Sequence, residues 1–192
     1  MQTDYRFSDW FIQYWSRVAL PLGIILACLS PLIFKAYGLV VLLVFLQLVI
    51  YMIHQYEEHA QGKFKEFANQ MLAAGQPKIG DLPIFWVNII GVWGVYLLVI
   101  YGAVLSHPAL GLIAAYTTLV NSLLHILSAI ATRRYNPGLV TSLIFFLPLS
   151  IYTVAIMNGL ADTTTTDHLL GIGAAIVVHV LTFGYLGSIA RR

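Results

Sequence analysis

Residues 39–59 read Leu39-Val40-Val41-Leu42-Leu43-Val44-Phe45-Leu46-Gln47-Leu48-Val49-Ile50-Tyr51-Met52-Ile53-His54-Gln55-Tyr56-Glu57-Glu58-His59. The first fifteen residues are apolar on every helical face, with Gln47 the one exception. The last six are almost all polar or ionisable. A run with no polar stripe belongs in hydrocarbon or in the centre of a large protein. The rest of the chain decides between these. Of 192 residues, 9% are charged and 59% are hydrophobic, and the mean hydropathy is +0.83. An ordinary soluble domain carries roughly 25% charged residues. The composition therefore excludes a soluble globular domain and a disordered chain. It predicts an all-α, polytopic transmembrane helix bundle formed as a single integral-membrane domain over residues 1–192.

A helix needs about 20 apolar residues to cross a hydrocarbon core of about 30 Å. Six segments meet this, at about 18–34, 36–58, 83–105, 108–132, 138–157 and 168–190. The turn at 35–38 between the first two is very short, so five spans is the rival count. Basic residues test the topology, because Lys and Arg collect on the cytoplasmic side. With six spans, Arg6, Arg17, Lys63, Lys65, Lys78, Arg133, Arg134, Arg191 and Arg192 fall on one side, nine of the ten basic residues. Only Lys35 falls on the other. The split predicts both termini in the cytoplasm. Phe7, Trp10, Phe11, Tyr14 and Trp15 form an aromatic stripe at helical spacing, so residues 1–17 are expected to form an interfacial amphipathic helix. The N-terminal ten residues hold two acids and lack the pattern of a cleavable signal. The single cysteine, Cys28, excludes an internal disulfide and a cysteine-rich metal site.

Polar groups inside apolar spans are costly and mark sites or interhelical contacts. The densest group is His54-Gln55-Tyr56-Glu57-Glu58-His59. At 100° per residue, Glu57 and Glu58 flank His54 on one face, while His59 lies about 140° away and is expected to point elsewhere. A histidine with carboxylates at i+3 and i+4 suits a metal or an acid–base pair. The fourth span carries Thr117, Asn121, His125 and Ser128 as one polar stripe. His179 lies in the sixth span, Asn88 in the third, and Thr141 one turn inside the fifth. With six spans these residues share similar depth. His54, Glu57 and Glu58 are the candidate catalytic residues. Asn88, Asn121 and Thr141 are candidates to orient a substrate, and His54, Glu57, Glu58, His125 and His179 are candidate metal ligands. Tyr135-Asn136-Pro137-Gly138 reads as a tight turn.

These motifs carry a resemblance. His54-Gln55-Tyr56-Glu57-Glu58, the pair Asn121 and His125, and Pro137-Gly138 followed by Thr141 resemble a family of small bacterial membrane proteins named for its HXXEE motif. The resemblance covers most of the chain from the second span onward. It implies a polytopic protein of the bacterial inner membrane and supplies no reaction.

The first functional expectation is a metal-dependent intramembrane enzyme of hydrolase or oxygenase type, using zinc or non-haem iron on a lipid-like or other hydrophobic substrate. His-Glu-x-x-His is absent, and Glu58 stands where His-x-x-Glu-His needs its second histidine. The second expectation is a metal-free acid–base isomerase or cyclase. The third is a proton or cation transporter or a non-catalytic membrane binding protein; no inverted repeat supports transport. No Walker loop, Gly-x-Ser-x-Gly elbow, Cys-x-x-Cys pair or dinucleotide fingerprint is present, so no nucleotide partner is expected. Nor is a nucleic-acid partner, because a net charge of +2 reflects membrane anchoring. The expected partners are membrane lipid and a hydrophobic small molecule.

Overall fold

The computed structural model describes residues 6–192. The first five residues of the expected interfacial segment lie outside the described residues. The described residues form helices joined by turns and short loops and contain no strand. Its main elements are α1 (Phe7–Ala27), α2 (Ser30–His59), α3 (Lys63–Leu72), α4 (Asp81–Leu105), α5 (Pro108–Thr132), α6 (Leu139–Asn158) and α7 (Thr165–Ala190). Six helices among the described residues are long and apolar enough to cross a membrane, α2 being counted together with α3. The chain is a multi-pass membrane protein.

The first two spans reverse direction at Gly38, within the expected 35–38 turn: Trp15 stacks near His59 and Gly23 lies against Met52 and Val49, an antiparallel pairing centred just before Gly38. α1 spans 21 residues and ends at Ala27, so the aromatic stripe belongs to the same helix as the apolar run, bent at Tyr14 where φ is −119° and ψ is 15°. Pro31 sits in the first turn of α2. There its missing N–H costs little and its fixed φ favours helix; Cys28 and Leu29 before it keep right-handed helical backbone, so the helical course of α1 runs on into the first turns of α2. The turn itself is Gly38, within the residues labelled α2: it adopts φ +79° and ψ −175°, a conformation that favours glycine.

α2 is the central helix. It packs against α1, α4, α5 and α6 and is buried at most positions from Val41 to Tyr51, which explains an apolar run without a polar stripe. Large apolar side chains face outward on the surrounding helices, among them Leu98, Leu105, Leu127, Ile130 and Leu181. Polar residues are instead buried. Gln47 Nε2 donates to Thr153 Oγ1 at 2.9 Å, and Tyr96 pairs with Thr118 at 2.7 Å. These links join helices that have no hydrophobic force between them in lipid.

Contacts show that the helices alternate in direction. Gln55 near the end of α2 meets Asn88 near the start of α4. His54 meets Thr141 at the start of α6. Ala68 of α3 clusters with Leu186 and Ala190 at the end of α7. At the opposite end, Tyr116 of α5 meets His168 at the start of α7. Two stretches widen into π-helix, Val87–Gly94 in α4 and Ser142–Phe146 in α6. Such turns displace side chains and recur at functional sites. Here one carries Asn88 and the other follows Thr141.

Candidate metal centre

The last turn of α2 and the Pro137-Gly138 turn before α6 meet face to face. His54 and Glu58 lie one helical turn apart, with His54 Nε2 3.5 Å from Glu58 Oε2. His125, from the end of α5, brings its Nε2 to 3.6 Å from Glu58 Oε1. His54 is fully buried, and Glu58 is 8% exposed. A carboxylate and two imidazoles thus converge in the low-dielectric interior, where an unpaired charge is costly.

The protonation of both rings follows from their neighbours. His54 Nδ1 lies 2.8 Å from Thr141 Oγ1. The Thr141 hydroxyl has one proton and gives it to Glu57 Oε2 at 2.5 Å, an acceptor-only carboxylate; its contact with the Gly138 carbonyl is longer, at 3.3 Å. The hydroxyl therefore accepts from His54 Nδ1–H, which leaves the lone pair on Nε2. His125 is fixed in the same way. Asn136 donates its amide N–H to the His125 carbonyl at 2.8 Å, which turns its Oδ1 to His125 Nδ1 at 2.7 Å. Both unprotonated Nε2 atoms lie near Glu58, at 3.5 and 3.6 Å, and His54 Nε2 also accepts from Asn121 Nδ2 at 3.4 Å. Imidazoles held by a partner on the other nitrogen are the usual arrangement around a bound metal.

The donor set fits a metal by distance as well. The ligand atoms of His54, Glu58 and His125 lie within 4.8 Å of one another. Tetrahedral zinc with bonds of about 2.0–2.1 Å sets its donors about 3.4 Å apart, close to the observed 3.5 and 3.6 Å. Two histidines and one carboxylate also match catalytic zinc sites with an open position and non-haem iron sites.

Glu57 does not join this cluster. Its carboxylate accepts from Tyr135 Oη at 2.8 Å, Val140 N at 3.1 Å, and both N and Oγ1 of Thr141. It thereby caps the start of α6, whose own flanking residue Gly138 has no side chain to do so. Partial burial and the Glu57 carboxylate push the Tyr135 phenol up to about 12, so it stays a donor. Thr141 touches His54 and Glu57. His179 lies apart from the cluster, with Nδ1 on the Ala175 carbonyl at 2.8 Å. Asn88 is held by Gln55 Nε2 at 2.8 Å, and Gln55 also accepts from Trp93 at 2.6 Å. Asn121 reaches His54 Nε2 at 3.4 Å.

Three participants escape the helical-wheel reading. His59, expected to point elsewhere, brings Nε2 to 3.0 Å from Glu58 Oε2, outside hydrogen-bond geometry, so this buried nitrogen lacks a hydrogen bond. It is the last residue of α2, where φ is −105° and the wheel no longer applies. Asn136 orients His125, and an asparagine beside Pro-Gly was a readable signal. Gly138 is more than a turn residue. At φ +94°, a Cβ on it would lie 2.6 Å from His54 Cε1 and 2.8 Å from His125 Cε1. Only the bare backbone packs against both rings.

Two cavities share Glu58. One, of about 250 Å³, is lined by Phe64, Phe67, Met71, Leu124 and Phe183, with Glu58, Asn121, His125 and Asn136 as its polar wall. The other, of about 60 Å³, is bounded by Glu58, His59, Asn88, Thr117, Asn121 and His179 among others.

Comparison with curated proteins and with solved structures brings no match. A family model described as protein of unknown function with HXXEE motif matches residues 45–153, more than half of the 192 residues. The matched segment holds His54, Glu58 and His125 together with the residues that orient them, Thr141, Glu57 and Asn136, and it leaves out His179. The chain belongs to this HXXEE-motif family.

Proposed function

We propose that the protein is a metal-dependent membrane enzyme in which His54, Glu58 and His125 hold a zinc or non-haem iron ion and act on a hydrophobic substrate. The observation that carries this reading is the paired fixing of His54 and His125 through Nδ1, which leaves both Nε2 atoms unprotonated beside one buried carboxylate. A divalent metal held by His54, Glu58 and His125 would supply Lewis acidity for polarising the bond to be attacked and for acidifying water. The chain supplies the rest. Phe64, Phe67 and Leu124 bind an apolar chain and exclude water. Asn121, shared by both cavities, orients the polar group beside Glu58. The reaction class is hydrolysis of an ester-like bond at the head of a lipid-like molecule, with oxygenation the alternative that iron would favour.

The proposed orientation places both termini and the metal centre toward the cytoplasm. The nine-to-one division of basic residues supports it, as does the clustering of the ends of α2, α5 and α7 with the starts of α4 and α6. We further propose that α1 up to the Tyr14 bend lies in the headgroup layer, where its Trp and Tyr side chains are favoured.

The test is the metal content of detergent-purified protein incubated with zinc or iron(II) and desalted. At least one equivalent per chain is expected, with a loss in His54→Ala and in His125→Ala. Wild-type protein that retains no metal would remove this reading. It would leave metal-free acid–base chemistry, which the close approach of His59 to Glu58 then favours.

A further inference from the structure

The small cavity beyond Glu58 has features that the single metal centre does not use. His59 is buried, with its side chain 6% exposed, and its Nε2 lacks a hydrogen bond although it borders this cavity. His179 borders the same cavity from α7. Its Nδ1–H is committed to the Ala175 carbonyl, so the Nε2 lone pair is the free one, the same backing that metal-bound imidazoles receive elsewhere. Glu58 has two oxygens with different neighbours. Oε1 faces His125 at 3.6 Å, while Oε2 lies 3.0 Å from His59 and 3.5 Å from His54, so Oε2 is the oxygen that the two histidine pairs share. The cavity, about 60 Å³, exceeds the roughly 10–15 Å³ that one water needs by the same kind of measure. Asn88 is saturated by Gln55 and by the Ile84 carbonyl, so it walls the space rather than filling it.

We propose that Glu58 bridges two divalent cations: the one held with His54 and His125, and a second held by His59 and His179 in the small cavity. The proposal rests on the metal reading above and extends it. Imidazole and carboxylate donors suit zinc, iron or manganese. Paired ions sharing a carboxylate clamp both the attacking and the leaving oxygen of a displacement. The arrangement gives His179, outside the family match, a defined chemical task. It also accounts for a buried imidazole nitrogen with no hydrogen bond.

The experiment is a metal titration of the full-length protein in detergent, read by elemental mass spectrometry after desalting. Manganese-loaded samples are examined by electron paramagnetic resonance. Wild type is expected to saturate at two ions per chain and to show an exchange-coupled manganese spectrum. His179→Ala and His59→Ala are expected to saturate at one, with the spectrum of an isolated ion. His179→Gln, which keeps volume and polarity, serves as the second variant if alanine disturbs folding, and size-exclusion elution checks the fold. Saturation of wild type at one ion, unchanged in His179→Ala, would overturn the bridged pair and leave the single centre standing. Saturation at zero would overturn both.

Discussion

Glu57 accepts hydrogen bonds from α6 and its turn, while Glu58, the next residue, faces three imidazoles. The difference arises from partners distant in sequence, since Thr141 is 84 residues from Glu57. Thr141 links the two carboxylates' surroundings, because its hydroxyl donates to Glu57 and accepts from His54. Thr141→Val should therefore weaken metal binding about 10- to 100-fold, the usual cost of losing an outer partner, and destabilise the fold by about 1–3 kcal/mol through Glu57. Competition with a zinc chelator measures the first, and unchanged affinity would dismiss the His54–Thr141–Glu57 chain. Gly138→Ala meets both imidazoles and a φ of +94°. A loss of about 1–3 kcal/mol is expected from the backbone conformation alone, together with loss of bound metal. Wild-type melting and metal content in that variant would refute the close packing. At this scale the sequence made His54, Glu58 and His125 visible, because polar residues in apolar runs stand out. It could not separate Glu57 from Glu58, because a helical wheel contains no information about which neighbour supplies the donors. His59 was misread because α2 unwinds there.

At the level of elements, the apolar runs made six helices legible, and α4 to α7 begin and end within a few residues of the hydropathy boundaries. The turn between the first two spans was legible at Gly38, whereas the bend at Tyr14 inside the aromatic stripe was not, because nothing in a hydropathy pattern marks it. The joint between α2 and α3 is the other feature that sequence concealed. Gln61 and Gly62 both take left-handed backbone, with φ of 63° and 75°, and this swings α3 back so that Phe64 packs on His59 with ring centroids 4.8 Å apart. A non-glycine residue in that region costs roughly 1–2 kcal/mol, partly offset in a glycine variant by greater freedom of the unfolded chain. Gln61→Gly should raise stability by about 0.5–1 kcal/mol, seen as a higher melting temperature in detergent. A lower one would mean that the Gln61 side chain contributes contacts that outweigh the strain. The ion pair of Lys65 with Asp81 at 2.8 Å fastens α3 to α4, but it is partly exposed, and pairs of this kind contribute about 0–1 kcal/mol.

For the whole molecule, the low charge count that first excluded a soluble fold corresponds to an apolar exterior around an apolar core that encloses a minority of buried polar groups. Buried polar groups also occur away from Glu58, at Gln47, Ser150 and Thr153. Their hydrogen bonds join helix to helix or return to their own helix. The proposed topology has a direct check. In a Cys28→Ser background, Thr164→Cys should react with a membrane-impermeant thiol reagent added to intact cells, and Arg134→Cys should react only after permeabilisation. The reverse pattern would invert the bundle. One property of the centre bears on how the molecule comes into being. His54 and Thr141 are 87 residues apart, and His125 and Asn136 also belong to the later half of the chain. When the ribosome has delivered only α1 to α4, Glu58 has left water with His54 and His59 beside it but neither His125 nor the cap on α6. On the proposed metal reading, ion capture follows membrane insertion of the α5–α6 hairpin, and a chain truncated before that hairpin should emerge without a complete set of His54, Glu58 and His125.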